Sequence, residues 1–371
     1  MKYYIIAGEA SGDLHGKNLM QSILKQDANA EFFIFGGDQM AALPNTHLRK
    51  HIADMAFMGF VEVLMNLNSI RANMNFCKED LKNTNPDVVI LIDYPGFNLR
   101  IAEYAKSIGL KVVYYISPKI WAWNTKRVHK IVKFVDRMYS ILPFEKSFYA
   151  KYDYEVEYIG NPLKDAIEKY SFEEQFLEKN DLLGKPILAI LPGSRKMELE
   201  KIFPTMLEAA NRFKEYQVVI AGTSILPLEY YKKFNIPSNM RLIVDRTYDI
   251  LKHADLAMVT SGTATLETAL FKVPQVVCYK ANAVSVAIAR LVIKVRFISL
   301  VNLIADKNIV EELIQDDCSV EKIYSELYRL RKGTEAHKSL MQDYDELIKM
   351  VGEPGASDRA AISMVKYLKN S

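Results

Sequence analysis

The chain has 371 residues, half of them hydrophobic and a quarter charged, which indicates a folded globular protein rather than a disordered or fibrous one. Its 48 basic and 45 acidic side chains leave a formal charge of +3, which argues against a dedicated nucleic-acid-binding protein. At about 150 residues per domain, the length predicts two domains. The three cysteines form no CxxC pair, so a disulfide framework and a structural zinc site are both disfavoured and a reducing compartment is favoured.

Short runs rich in β-branched and aromatic residues alternate with helical patterns along the chain. The runs lie at residues 3–7, 32–35, 88–92, 112–116, 138–142, 187–191, 218–221, 242–244, 256–259 and 276–279. Continuous apolar strands that alternate with helices are typical of parallel sheets covered on both faces. The sequence therefore predicts an α/β fold with two doubly wound, Rossmann-like domains that face a central cleft.

The strand pattern restarts after a polar stretch at residues 168–185. We therefore predict a first domain at residues 1–168 and a second at residues 169–356. The last helix, at about 357–371, begins at a good capping residue, Ser357, and we expect it to pack back onto the first domain. The apolar run at residues 3–7 is too short for a secretory signal, and no run of about 20 uncharged apolar residues predicts a membrane span.

Ligands of doubly wound domains bind beyond the carboxyl ends of the strands, so the loops that follow strands are the candidate sites. The first such loop matches neither GxGxxG nor a P-loop, and its polar residues suggest an acceptor or phosphate site that uses backbone N–H groups. Its candidate residues are Gly8, Glu9, Ser11, Gly12 and Asp13. The alternative is a tight strand–helix turn in which glycine supplies backbone freedom.

Asp93 ends the apolar strand predicted at residues 88–92. A carboxylate in that position suits a general base at the cleft. The alternative is a helix cap or turn residue, because Asp before Pro-Gly is common in turns.

Two loops of the second half predict a nucleoside-diphosphate site. After residues 187–191, glycine permits close approach, serine can donate, and arginine can bind phosphate through two N–H groups. After residues 256–259, small hydroxyl residues open a helix whose amides suit a diphosphate, with an acid one turn later for ribose. The candidates are Gly193, Ser194, Arg195, Ser261, Gly262, Thr263, Ala264, Thr265 and Glu267. The alternative for the second loop is a capping box completed by Glu267. No convincing metal-ligand pattern occurs, so we predict neither a metal nor another cofactor.

Five motifs in a fixed order carry a family resemblance: GEASGD at 8–13, YISPKIWAW at 115–123, LPFE at 142–145, LPGSR at 191–195 and TSGTATLE at 260–267. Together they resemble the lipid-A-disaccharide synthases over nearly the whole chain. The resemblance implies a GT-B fold and an inverting, metal-independent glycosyltransferase. Its donor would be UDP-2,3-diacylglucosamine, its acceptor 2,3-diacylglucosamine 1-phosphate, and its products the β-1,6-linked lipid A disaccharide 1-phosphate and UDP.

In that reaction, Asp93 would take the proton of the acceptor 6-hydroxyl, Arg195 would stabilise the departing UDP, and Glu267 would bind ribose. The chain departs from the family pattern in two places. Asn161 stands where histidine is usual, and Val301 stands where proline is usual. Asn302, which follows, remains a candidate nucleotide contact.

An enzyme with acylated substrates implies a cytoplasmic location on the inner face of the inner membrane of a Gram-negative bacterium. Two segments fit contact with such an anionic surface, one apolar and rich in methionine, the other apolar with adjacent cations. The candidate contacts are Met55, Phe57, Met58, Phe60, Leu64, Arg290 and Lys294. Core packing is the alternative for both segments, and the oligomeric state stays open.

A second candidate function is an isomerase similar to UDP-N-acetylglucosamine 2-epimerase, which shares the two-domain architecture and a UDP site. Such an enzyme would need neither an acceptor nor apolar basic segments. A non-enzymatic surface-binding protein is disfavoured because it leaves Asp93 and the loop at 260–267 without a purpose.

Overall fold

The computed structural model describes residues 1–55, 67–281 and 295–370. They fold into two compact units. The first comprises Met1–Asp165 and Glu353–Ser371, and the second comprises Ala166–Gly352. The chain leaves the first unit close to the boundary that the sequence predicts at residue 168.

The first unit is built on a parallel sheet with the strand order β3-β2-β1-β4-β5-β6-β7. Its strands are β1 (Lys2–Ala7), β2 (Glu31–Gly36), β3 (Thr46–His51), β4 (Val88–Ile92), β5 (Lys111–Tyr115), β6 (Arg137–Ser140) and β7 (Glu157–Tyr158). Its helices are α1 (Ala10–Gln26), α2 (Asp38–Ala41), α3 (Leu67–Thr84), α4 (Pro95–Ser107), α5 (Ile120–Trp123), α6 (Val128–Phe134), α7 (Glu145–Ala150) and, reaching into the second unit, α8 (Pro162–Glu168). Short 3₁₀ helices occupy Ile52–Asp54 and Thr125–Arg127.

The core of the first unit lies on both faces of this sheet. Tyr3 and Ile5 pack in one buried cluster, whereas Tyr4 and Ile6, which alternate with them along β1, pack in the other. Successive side chains of a strand point to opposite faces, so a strand that is apolar throughout must be covered twice. This is the arrangement that the continuous apolar runs predict.

The second unit repeats the plan with the strand order β10-β9-β8-β11-β12-β13, again all parallel. Its strands are β8 (Ile187–Leu191), β9 (Gln217–Gly222), β10 (Met240–Val244), β11 (Ala254–Thr260), β12 (Gln275–Tyr279) and β13 (Glu312–Ile314). Its helices are α9 (Phe176–Lys179), α10 (Lys196–Ala210), α11 (Leu228–Lys232), α12 (Thr247–His253), α13 (Thr263–Leu270), α14 (Leu300–Ala305), α15 (Val320–Arg329) and α16 (Glu335–Val351), with a 3₁₀ helix at Gln315–Asp317.

The last helix, α17 (Ala356–Lys369), belongs to the first unit and packs against α1. Asp165 accepts hydrogen bonds from the first backbone N–H groups of this helix, including that of Ala356 at 3.3 Å. Arg359 donates to three backbone carbonyl groups, those of Ile159, Glu353 and Pro354. Gly160 leaves the space for this guanidinium, because a Cβ there would lie 2.3 Å from Arg359 Nη2.

Candidate active site

Each sheet has one place where the strand order reverses direction, between β1 and β4 in the first unit and between β8 and β11 in the second. In open parallel sheets, ligands bind in the crevice at the carboxyl ends of the strands at such a point. The loops after these four strands are the four that the sequence selects: residues 8–13, residues 93–98, residues 192–196 and residues 261–267. The topology therefore gives each unit one candidate site.

Asp93 follows the last residue of β4, and its backbone is held in an uncommon conformation. Asp93 and Tyr94 have φ angles of 42° and 47°, a left-handed region that non-glycine residues rarely adopt. The Asp93 carbonyl accepts hydrogen bonds from Asn98 Nδ2, at 2.8 Å, and from the Tyr114 hydroxyl. Tyr94, and not Asp93, is the capping residue of α4. The helix-cap alternative for Asp93 is therefore wrong.

The environment of Asp93 favours a proton on its carboxyl group. Burial is the main cause that raises the pKa of Asp93 to about 6. The ammonium group of Lys119 opposes this rise, and the nearby Glu9 carboxylate adds to it. A carboxylate with a pKa near the working pH is suited to accept a proton from a hydroxyl group. Burial and a neighbouring charge are the usual origin of such shifts at functional sites.

The loop after β1 divides into an exposed part and a packing part. Glu9 and Ser11 are exposed at the N-terminus of α1, where backbone N–H groups lack partners within the helix. A Cβ on Gly8 would overlap the ring of Tyr94 at 2.3 Å, and one on Gly12 would lie 3.2 Å from the Cβ of Ala7. These two glycines therefore allow close packing of this loop against Tyr94 and Ala7.

Asp13 has a structural role, which corrects its prediction as an acceptor contact. Its side chain is 3% exposed and accepts backbone hydrogen bonds from Gly37, Gln39 and Met40 at 2.7–3.2 Å. It thereby satisfies the free N–H groups at the start of α2.

In the second unit, the loop after β8 presents exposed polar groups. Gly193 has a φ of 91°, and a Cβ there would lie 2.8 Å from Glu198 Oε2, so this position requires glycine. Ser194 and Arg195 are exposed at the start of α10. Arg195 pairs with Glu198 at 3.2 Å, and an exposed pair of this kind is weak enough for a phosphate to replace.

The loop after β11 exposes its glycine and uses its hydroxyl groups internally. Gly262 caps α13 with open space around its Cα and no side-chain hydrogen bond, and Thr263 beside it is exposed. Thr265, 0% exposed, donates to the Gly262 carbonyl at 2.8 Å, and Ser261 donates to the Ile298 carbonyl at 3.0 Å. The Thr265 hydroxyl is therefore used inside the loop, and its backbone N–H lies 3.3 Å from the same Gly262 carbonyl oxygen. The backbone amides of Thr263 and Ala264 remain suited to a diphosphate.

Glu267 lies one turn into α13, and Tyr248 holds it in place. The Tyr248 hydroxyl donates to Glu267 Oε1 at 2.7 Å, and its ring packs against Tyr170 and Phe271 with centroids 5.1 and 5.5 Å away. Burial raises the pKa of Glu267, and the Tyr248 hydrogen bond opposes that rise. The capping-box alternative is wrong because the cap of α13 has no side-chain bond.

Asn302 is fully buried, which corrects its prediction as a nucleotide contact. Its Oδ1 accepts from the backbone N–H groups of Ile309 and Val310, and its Nδ2 donates to the Val310 carbonyl and to Glu312. Asn161, where the resemblance leads one to expect histidine, is also buried, and its Oδ1 accepts from Leu163 at the start of α8. Both asparagine side chains therefore stabilise the local backbone through hydrogen bonds.

Most of the predicted membrane contacts, namely Phe57, Met58, Phe60, Leu64, Arg290 and Lys294, lie outside the described residues. Met55 is described, and its side chain is 1% exposed in a core cluster of the first unit, so it packs rather than faces a surface. Within residues 1–55, 67–281 and 295–370, no helix is long and apolar enough to cross a membrane. The same residues contain no group of three or more histidine, cysteine, aspartate or glutamate side chains placed to hold a metal ion.

Residues 3–365 match the family model described as lipid-A-disaccharide synthetase. The chain belongs to this family. A lipid-A-disaccharide synthase of Syntrophus aciditrophicus is 39% identical, covering 99% of this chain and 98% of that protein. One of Nitrosococcus oceani is 40% identical over 92% of this chain and 89% of that protein.

Solved structures agree with the fold at much lower sequence identity. A UDP-GlcNAc 2-epimerase of Neisseria meningitidis, bound to UDP-GlcNAc, superposes with a TM-score of 0.60 at 13% identity, covering both chains completely. The calicheamicin glycosyltransferase superposes with a TM-score of 0.61 at 16% identity, covering 99% of this chain and 98% of that one. These likenesses show the GT-B fold alone, whereas membership of the lipid-A-disaccharide synthetase family makes this chain a glycosyltransferase of lipid A biosynthesis and disfavours the epimerase.

Family membership directs attention to residues that strand-end reasoning missed. Tyr248 is absent from every motif, and only the fold brings it to Glu267. Lys119 and Trp121 lie in the YISPKIWAW motif and Glu145 in the LPFE motif, which carried the resemblance but received no role from the sequence. These two motifs could have pointed to these residues, because neither a strand nor a helix alone requires their residue types.

Proposed function

We propose that this synthetase family member is an inverting glycosyltransferase that transfers 2,3-diacylglucosamine from UDP to the 6-hydroxyl of 2,3-diacylglucosamine 1-phosphate. The products are the β-1,6-linked lipid A disaccharide 1-phosphate and UDP. The observation that carries the chemistry is Asp93, a half-buried carboxyl group at the reversal point of the first sheet. Its pKa of about 6 suits a general base.

The reaction is a single displacement. The acceptor 6-oxygen forms a bond to the anomeric carbon of the donor while the bond from that carbon to the UDP oxygen breaks. UDP leaves with the electron pair, and the hydroxyl proton passes to the Asp93 carboxylate. Attack opposite the leaving group converts an α-linked donor into a β-linked product.

The second unit binds UDP in this proposal. The exposed Arg195 guanidinium and the amides of Thr263 and Ala264 stabilise the charge of the departing diphosphate. The Glu267 carboxylate, which Tyr248 holds in position, accepts hydrogen bonds from the ribose hydroxyls. The epimerase of similar fold was solved with UDP-GlcNAc bound, which supports a UDP-sugar donor.

A coupled assay of UDP release tests the proposal. The purified chain is incubated with UDP-2,3-diacylglucosamine, with and without the acceptor. A transferase releases UDP only when the acceptor is present, whereas an epimerase needs no acceptor and isomerises the donor. Retention of near-normal turnover by a folded Asp93→Asn variant would remove Asp93 from the role of base.

We also propose that the enzyme works while attached to the inner face of the inner membrane. The acyl chains of both substrates place them in a bilayer. The sequence segment with Phe57 is apolar and rich in methionine, and the segment with Arg290 and Lys294 combines apolar and basic residues. Flotation with vesicles containing anionic lipid tests this attachment. Unchanged flotation of the Arg290→Glu/Lys294→Glu variant would exclude that segment as the contact.

A further inference from the structure

A carboxyl group that the proposed reaction does not use lies buried after β6, two strands along the sheet from the strand that leads to Asp93. Glu145, at the start of α7, is 1% exposed. Its Oε1 accepts a hydrogen bond from Trp121 Nε1 at 3.0 Å, and its Oε2 accepts one from the backbone N–H of Leu142 at 3.2 Å. Both donors are neutral, so neither supplies a cation that balances the carboxylate. Burying a carboxylate costs free energy, and its hydrogen bonds offset only part of that cost.

The hydrogen bonds of Glu145 join two loops. Trp121 belongs to the loop after β5, and Leu142 belongs to the loop after β6. The Phe144 ring meets the Trp121 ring edge to face at 4.8 Å, and Ser117 Oγ lies 3.0 Å from the Tyr149 hydroxyl of α7. The two motifs that carried the family resemblance without a role are therefore in contact with each other through this cluster.

The loop after β5 needs such support because its backbone is strained. Ile116 has a φ of 66°, which is a rare conformation for a β-branched residue. Three residues later the same loop presents Lys119, which is exposed and opposes the raised pKa of Asp93. β4 and β5 are neighbours with Ile92 opposite Tyr115, so the loops that carry Asp93 and Lys119 leave the sheet side by side.

We propose that Glu145 and Trp121 form a clamp that fixes the loop after β5 and thereby positions Lys119 beside Asp93. Glu145 is a positioning residue in this scheme, since it is buried and its two oxygens accept hydrogen bonds from Trp121 and Leu142. The inference rests on the proposed function, in which Asp93 is the base. Lys119 then keeps a larger fraction of Asp93 ionised near neutral pH, because an ammonium group favours the charged form of a nearby carboxylate.

The carboxyl group of Glu145 titrates close to neutral pH. Burial raises the pKa of Glu145 to about 7, opposed by the hydrogen bonds from Trp121, Ser117 and the backbone. The titratable groups that face it are the hydroxyls of Tyr149 and Tyr158, and both carry pKa values raised by burial, so neither ionises near neutral pH. A protonated Glu145 keeps acceptor capacity at both oxygens, whereas glutamine sets an NH2 group against one of the N–H donors, so Glu145→Gln disrupts these hydrogen bonds at every pH.

The decisive measurement is the pH dependence of kcat/KM for UDP release. In Glu145→Gln and in Trp121→Phe, the acid limb set by Asp93 is expected to move to higher pH by about one unit, the size of effect that loss of a nearby opposite charge produces. Lys119→Met should move it equally, and the Glu145→Gln/Lys119→Met double variant should move it no further. Lys126→Met removes an exposed charge from the same surface segment and is expected to leave the limb in place.

A double-variant cycle and an activity-free readout separate the clamp from the proposed function. In the Trp121→Phe background, adding Glu145→Gln should move the acid limb less than it does in the unmodified chain, because one N–H donor is then gone. The tryptophan emission of the unmodified chain should titrate near pH 7 and lose that transition in Glu145→Gln. The clamp would be overturned by any one of three results: an unmoved acid limb in Glu145→Gln, additive shifts in the double variant, or an emission profile that does not change with pH. Failure of the chain to release UDP at any pH would instead refute the proposed function, and the emission titration would then decide the clamp alone.

Discussion

Replacing Asp93 by asparagine should make the first unit more stable at alkaline pH while it removes activity. Burial raises the pKa of Asp93 from 3.8 to about 6, so the folded chain holds this proton more tightly than the unfolded chain. The resulting stabilisation is complete below pH 3.8 and is lost as the pH rises through 6. The rise of the Asp93 pKa from 3.8 to about 6 corresponds to about 3 kcal/mol of unfolding free energy at pH 8.

Asparagine has a similar shape and no charge, so the Asp93→Asn variant should gain up to that amount at pH 8. In the unfolded chain, the Asp93 carboxyl group is already mostly ionised at pH 5. The gain in unfolding free energy should therefore shrink by only about 1.4 kcal/mol between pH 8 and pH 5. Activity should fall by about 100- to 10,000-fold, which is the usual contribution of a general base.

Urea unfolding followed by tryptophan emission is the appropriate assay. The chain has two tryptophans, Trp121 and Trp123, and both belong to the first unit, so the signal reports the unit that holds Asp93. Curves are recorded at pH 5, 6.5 and 8 for both proteins. A variant that is less stable than the unmodified chain at pH 8, or a difference that does not change with pH, would refute the reasoning about burial.

Three further predictions concern residues whose roles the structure revised or revealed. Asp13→Ala should lower the unfolding free energy by about 1–3 kcal/mol, because the N–H groups of α2 lose their cap, without raising the KM for the acceptor. Asn302→Ala should cost about 2–3 kcal/mol in a thermal or urea melt, since two buried N–H groups lose their acceptor. Tyr248→Phe should weaken UDP binding about fivefold by calorimetry, the effect of losing one hydrogen bond. The loss should grow as the pH falls, because without this donor the pKa of Glu267 rises further and protonation competes with ribose; a pH-independent loss would contradict this.

The fold was predictable where strands are buried on both faces, and the strands that the sequence did not predict lie at sheet edges. All ten predicted strands are present, and those at Val88–Ile92 and Ile187–Leu191 have the predicted bounds. The strands missed are β3, β7 and β13, and each lies at the edge of its sheet. β3 carries polar residues and β7 has two residues, because an edge strand is covered less and needs no apolar run. The hydrophobic pattern of a sequence reflects burial, and these three strands are buried only in part.

The candidate site was predictable as a set of loops but not residue by residue. The rule that ligands bind at strand ends selected the four loops at the two reversal points. It could not tell that Glu9 is exposed, whereas Asp13, four residues further along the chain, is buried and caps α2. Asn302 was equally ambiguous, because an amide that braces a buried loop and an amide that binds a nucleotide look the same in sequence. Partners distant in the chain, such as Tyr248 for Glu267, decide these roles.

The return of α17 to the first unit sets an order for folding during synthesis. The apolar face of α1, with Leu19 and Ile23, is covered by Ala360 and Met364 near the other end of the chain. This face therefore stays open while the whole second unit, Ala166–Gly352, is being made. The second unit is contiguous and can fold as soon as it emerges, so the unit translated first is completed last. A chain that stops before residue 353 is expected to carry a finished second unit beside a first unit with an exposed, aggregation-prone helix.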